Sequence, residues 1–164
     1  MNKMQTKKLT IAALFIALTC VATMVINIPI PATNGYLNLG DSMVILSGML
    51  FGRYFGGLTG GIGSALADLL LGYAHFAPVT LIVKGIEGLI AGYSERMNTA
   101  GRVFVAVVAG FVMALGYLVA EVFMYDFTAA LASFPSNLLQ GAGGILIALL
   151  LYPIISQLLD SYLR

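Results

Sequence analysis

Lys84 and Glu87 stand three residues apart in VTLIVKGIEGLIAG (residues 79–92), an otherwise apolar run whose glycines at 85, 88 and 92 leave them little cover. An ammonium and a carboxylate at i, i+3 share a helix face, so they either neutralise one another or hold a polar ligand between them. Two further patterns resemble this one. Thr80 precedes the pair at i, i+4, i+7 spacing, and Tyr117, Glu121 and Tyr125 recur at i, i+4, i+8. Asn137 and Gln140 share a third face, continued by Gly141 and Gly144. Aromatic rings combined with a few hydrogen-bonding groups suit a small, flat, polar heterocycle. Hydrolytic chemistry is excluded by the same inventory. There is one histidine, His75, and one cysteine, Cys20, with no H-E-x-x-H and no G-x-S-x-G. A lone Cys20 also excludes an internal disulfide and a multi-cysteine metal site.

The elements that carry these residues are membrane spans. Of 164 residues, 60% are hydrophobic and 9% charged, whereas soluble domains carry roughly a quarter charged residues. The net charge of +1 and the absence of a basic patch give no reason to expect a nucleic-acid partner. The N-terminus, MNKMQTKKLTIAALFIALTCVATMV, imitates a secretory signal, but without an A-x-A cleavage site it reads as an uncleaved first span. Spans are expected near 8–27, 41–52, 57–73, 76–93, 102–126 and 134–160, within one domain covering 1–164. Lys3, Lys7, Lys8, Arg53, Arg96, Arg102 and Arg164 all fall at alternate ends, and the connections 28–40, 73–76 and 126–134 contain no Lys or Arg. Positive residues mark the cytoplasmic side. The expected fold is therefore an all-α membrane protein, six transmembrane helices, N-in/C-in, forming a compact bundle with an outward-facing ligand cavity.

Depth along the helices makes the polar pattern one-sided. At about 1.5 Å per residue, Lys84 lies roughly 12 Å below the outer surface, Glu87 near the midplane and Glu121 roughly 8 Å deep. Asp68, Asp41, Asn137 and Gln140 enter from the same side, while the inner half is nearly free of charge. Buried charge in a bilayer is costly and usually faces protein or water. A proton or ion path would need polar groups on both sides; a cavity open to the outside does not. Lys84 and Glu87 are read as an ion pair that also supplies a ligand contact. Asp68 caps or bonds the 28–40 loop, Asp41 after Gly40 fits an N-cap, and His75 stands at the cavity lip.

Small residues suggest how the helices pack. Gly48, Gly52, Gly56, Gly60, Ser64, Asp68 and Gly72 recur every four positions, the spacing that lets helix backbones approach in lipid. Gly56 and Gly57 are expected to mark the break between the second and third spans. The first span has a weaker motif, Ala13 and Ala17, which taken alone reads as packing within the bundle. NIPIPATNGYLNLG (27–40) is uncharged, rich in Pro, Gly and Asn, and reads as a turn-rich cover over the bundle's mouth, with Asn34 near its tip. Pro135 is expected in the first turn of the last helix, where its missing N–H is harmless.

Taken together, INIPIPATNGYLNLGDSMVILSGMLFG, GGIGSALADLLLGY and FAPVTLIVKGIEGLIAG resemble the substrate-binding S component of energy-coupling factor (ECF) vitamin transporters. The similarity is nearest to the riboflavin, pyridoxine and hydroxymethylpyrimidine branch. It covers residues 10–92 in detail and the whole chain in helix plan. The resemblance implies a multi-pass subunit in the plasma membrane of a prokaryote. That subunit would capture a small B-vitamin or precursor from outside, working with an energy-coupling transmembrane subunit and two ABC-type ATPases. It further implies that Ala13 and Ala17 dock the coupling subunit, that the 28–40 loop gates the cavity, and that the site groups lie on the fourth to sixth helices. No cofactor is expected in this chain, since ATP is used by the partner subunits and no G-x-x-x-x-G-K-[ST] loop is present. The absence of tryptophan leaves Tyr and Phe to stack a ligand. A hydroxymethylpyrimidine or pyridoxine-like vitamer is the leading ligand class. A self-sufficient secondary transporter is the alternative, but it calls for internal repeat symmetry, and no clear repeat is present.

Overall fold

The computed structural model describes residues 3–163, with side chains at residue 7 and over 9–159. Arg164 and the side chains of Lys3 and Lys8 lie outside the described residues. Six helices follow in order, α1 (Lys3–Val25), α2 (Gly40–Phe51), α3 (Arg53–Leu71), α4 (Ala77–Ala91), α5 (Thr99–Met124) and α6 (Phe127–Leu163). Between α1 and α2 a two-stranded antiparallel hairpin pairs β1 (Ile28–Ile30) with β2 (Gly35–Leu37), Pro29 opposite Tyr36. By length and composition α3, α5 and α6 can each cross a membrane; α1 over Leu9–Val25 and α2 are shorter apolar helices, and α4 has 15 residues. Leucine, isoleucine and phenylalanine side chains such as Leu70, Ile82, Phe104, Phe123 and Leu146 point outward from the bundle, the surface a bilayer solvates.

Three boundaries differ from the sequence expectations. The break between α2 and α3 falls at Gly52, not at Gly56 and Gly57. Gly52 has φ +85°, and a Cβ there would meet the Glu95 carboxylate at 2.7 Å, so only glycine serves. The last helix starts at Phe127 because Asp126 caps it, its Oδ1 accepting the Ala129 N–H at 2.9 Å. Pro135 is consequently an interior proline, as is Pro153, and does not occupy the first turn. Asp41 is no N-cap either, for α2 begins at Gly40 with no side-chain cap at its start.

Alpha-2 is the central helix. Nine of its residues are buried, and it packs against all the other helices. Around its inner half lies an apolar cluster built on Phe15, Ile45, Leu46, Met49 and small alanines of α4, α5 and α6. Close approach of α3 and α4 completes the centre. A Cβ on Gly88 would stand 2.1 Å from the Gly56 carbonyl oxygen, and one on Gly60 would stand 2.5 Å from that of Lys84. From Gly48 to Asp68 the four-residue stripe therefore packs inside the bundle, as its spacing predicts, while Gly72 at its end is exposed. The two backbones touch where side chains would hold them apart.

The two ends differ in chemistry. At one, Arg53 lies beside Tyr54 and Tyr93, and Arg102 covers Tyr152 at 4.2 Å. At the other sit the hairpin, the α3–α4 turn and the α5–α6 turn, whose described residues include no Lys or Arg. Near this second end α2 and α4 are tied by charge. Lys84 is 1% exposed, and its Nζ donates to Asp41 on α2 and, at 3.1 Å, to Glu87 one turn along α4. The expected i, i+3 pair is thus a triad. Asp41 turns inward because α6 closes on it: a Cβ on Gly144 would meet the Asp41 Cβ at 2.5 Å.

Removing the ammonium strands two buried carboxylates, so Lys84→Met should cost roughly 3–5 kcal/mol. Changing Lys84 and Glu87 together still strands Asp41 and should recover little. The triple variant Asp41→Asn/Lys84→Met/Glu87→Gln should recover most of the stability, as read by thermal unfolding in detergent. Wild-type stability of Lys84→Met would show that the triad does not hold α2 to α4.

Candidate functional site

Above the triad the helices separate and leave a cavity with about 430 Å³ of empty space, its open mouth included. Its lining comes from the hairpin and its C-terminal end and from every helix except α2. Alpha-4 contributes Phe76 just before its start, then Thr80 and Lys84; α5 contributes Tyr117 and Glu121; α6 contributes Asn137 and Gln140; α3 contributes Ser64 and Asp68; α1 contributes Thr23. The cavity has an ordered polar interior. Tyr117 donates its hydroxyl to Thr80 at 3.1 Å, Ser133 donates to the Glu121 carboxylate, and Gln140 Nε2 donates to Asp41 at 3.1 Å. Lys84 Nζ stands 5.6 Å from the centre of the Tyr117 ring, so that ring turns its face toward positive charge.

The hairpin covers this space and is bonded to both sides of it. Tyr36 donates to Asp68 Oδ1 at 2.6 Å, and its ring lies 4.6 Å from that of Tyr73. Burial, reinforced by the neighbouring Asp68 carboxylate, holds the Tyr36 phenol far above its usual range. It therefore remains an O–H donor at any physiological pH. On the opposite side the Asn38 backbone N–H and side-chain Nδ2 both donate to Gln140 Oε1, at 2.9 and 3.1 Å. Buried Ile30 and Gly35 face the cavity from the two strands. The cover is thus latched to α3 by one hydrogen bond and to α6 by two.

Of the residues singled out in the sequence, Thr80, Lys84, Tyr117, Glu121, Asn137 and Gln140 line one cavity. Glu87 does not line it. Glu87 is fully buried beneath, held to Lys84. Tyr125 and His75 meet each other at the exposed lip, 3.2 Å apart, and neither is part of the lining. Asn34 sits exposed in the hairpin turn at φ 48°, away from the cavity and suited to a left-handed turn position. Asp68 bonds the loop as expected and also lines the cavity. Missing from the sequence reading were Tyr36, Asn38, Ser64 and Phe76, together with the inward role of Asp41. Ser64 carried a usable signal, standing one helical turn before Asp68 on the small-residue stripe. Tyr36 lies on β2 and Asn38 just past its end, on either side of Leu37, a period-2 pattern that a three-residue strand makes too short to read.

Ala13 and Ala17 stand on the outer face of α1, both exposed, beside Leu14 and Leu18 at 55% and 41% exposure. The inward face of α1 is Phe15, Thr19 and Thr23, and Thr19 meets α3 at Gly63. Packing within the bundle, the reading of this motif taken alone, fits poorly, because both alanines lie off the buried face of α1.

Comparison with known proteins agrees with this architecture. A family model for the S component of ECF-type riboflavin transporters matches residues 3–157. A protein of Pyrococcus woesei, described as an uncharacterized protein in gap 3'region, is 45% identical over 129 residues, 77% of this chain and 86% of its own length. The thiamine precursor transporter HmpT of Lactococcus lactis is 30% identical over 158 residues, 96% of this chain and 92% of its own. A UPF0397 protein of Streptococcus pneumoniae is 34% identical over 85 residues, 52% of this chain and 43% of its own. The matched family is that of a transporter component and not of an enzyme. With the match running nearly the whole length of the helical bundle, the chain belongs to the S-component family of ECF-type riboflavin transporters.

Proposed function

We propose that the chain is the substrate-capture subunit of an ATP-driven ECF importer, crossing a prokaryotic plasma membrane six times with both termini in the cytoplasm. It takes a single-ring B-vitamin or precursor of the hydroxymethylpyrimidine or pyridoxine kind from outside. A transmembrane coupling subunit and two ABC-type ATPases then drive its release inward. The observation that carries this reading is the asymmetry of the bundle. A polar, aromatic cavity lies beneath a hairpin at the end without Lys or Arg, while the half toward the arginines is packed with apolar side chains. Such a body binds from one side and has no path of its own to the other. The near full-length similarity to HmpT supports a thiamine-precursor type of ligand. The outward alanine face of α1 supports a docking role for Ala13 and Ala17, because small residues there let a partner helix approach closely in lipid.

Identification of the small molecule that co-purifies with the detergent-solubilised protein tests the substrate class directly. Glu121→Gln and Asn137→Ala should each weaken its binding by roughly 1–3 kcal/mol, the cost of a buried polar contact left unmade. Unchanged calorimetric affinity in both would place the binding site elsewhere. Replacing Ala13 or Ala17 with Leu should abolish uptake in cells carrying the coupling module while leaving binding by the purified subunit intact. Equal loss of uptake and binding would count against docking.

A further inference from the structure

Four carboxyl groups converge on the cavity and its floor, and one ammonium answers them. Lys84 is already shared between Asp41 and Glu87. Asp68 on α3 and Glu121 on α5 have no cation: one accepts from Tyr36 and the other from Ser133. Neither bond supplies a positive charge. Lys84 and His75 act on Asp68 through space without pairing with it; His75 lies at the exposed lip on Tyr125, and Tyr36 and Tyr117 are phenols. Asn38, Asn137 and Gln140 are neutral amides. Meanwhile Asp68 is 3% exposed, lines the cavity, and leaves Oδ2 without a hydrogen bond; Asn137, 5% exposed, leaves Nδ2 without one. Unpartnered buried groups of this kind are normally completed by a ligand or water. Surplus negative charge at membrane depth is costly, so it must be met by protons or by a cation.

We infer that the cavity takes its ligand as a cation, a small heteroaromatic base with a protonated ring nitrogen. Its charge is met by Asp68 and Glu121, and its ring lies against Phe76 and Tyr117. Helices α3 and α5 stand on either side of α4, so the two carboxylates approach the ligand from different walls. The aromatic faces add attraction that a neutral ring would not receive. This inference rests on the ligand-capture reading above and narrows it to one charge state.

The test uses the whole purified subunit and three ligands of one shape: 4-amino-5-hydroxymethyl-2-methylpyrimidine, its ring N-methylated cation, and the all-carbon ring isostere. Calorimetry at neutral pH should show the pyrimidine binding roughly 10–100-fold tighter than the carbocycle, the effect of a charge-assisted contact. Runs in buffers of different ionisation enthalpy should show about one more proton taken up with the pyrimidine than with the permanent cation. Asp68→Asn/Glu121→Gln should erase the preference for the base over the carbocycle; each single variant should reduce it, which serves if the double variant does not fold. Equal affinity for pyrimidine and carbocycle, or equal proton exchange for the pyrimidine and the permanent cation, overturns the inference and leaves the capture role standing. Binding of none of the three overturns both.

Discussion

The ammonium of Lys84, held between Asp41 and Glu87 where no solvent reaches, sets the relative position of α2 and α4, and the cavity is built on top of that tie. Asp41 is also bonded by Gln140 from α6, and Gln140 in turn accepts both Asn38 donors from the end of the hairpin. One chain of polar contacts therefore runs from the buried charge to the cover. A charge in this setting is expensive unless it is paired and hydrogen-bonded. That cost restricts which arrangements of α2, α4 and α6 are available at all.

Glycine makes the tie possible. With α3 and α4 in backbone contact at Gly56 and Gly88, α4 sits deep enough in the bundle for Lys84 to reach α2 without a side-chain layer between them. The same stripe that carries the contact ends in Ser64 and Asp68, where the helices have opened and the positions face the cavity. Close packing in the inner half and open space in the outer half are thus two ends of one continuous helix face. An S component must be rigid where it is packed and must admit a ligand where it is open, and this division falls along α3.

The hairpin belongs to the same logic. Its strands are three residues each, too short to be stable alone, and it is held by Tyr36 on Asp68 and by Asn38 on Gln140. Few bonds need to break for it to lift, and both anchoring partners are cavity residues. The same side chains therefore line the cavity and hold its cover.

How far the sequence alone reached follows from which interactions are local. Charge scarcity, apolar spans and the one-sided depth of polar residues determined the helical plan, and the i, i+3 and i+4 spacings brought six of the cavity residues onto the correct helix faces, because a helix face depends only on its own period. The Lys84–Glu87 pair was legible for the same reason. Asp41 was not, since its partner is forty-three positions away and the registration of α2 against α4 is decided by the Gly56–Gly88 contact and by Gly144 closing from α6. Tyr36 on Asp68 and Asn38 on Gln140 are likewise pairings across large sequence separations, which no periodicity encodes. The start of α3 moved from residue 57 to Arg53, with the break at Gly52, where the backbone and the Glu95 carboxylate admit no side chain. The outward turn of Ala13 and Ala17 emerged only once Phe15 and Thr19 had claimed the inner face of α1. Local rules thus set what each helix could present; packing of backbones decided what each residue met.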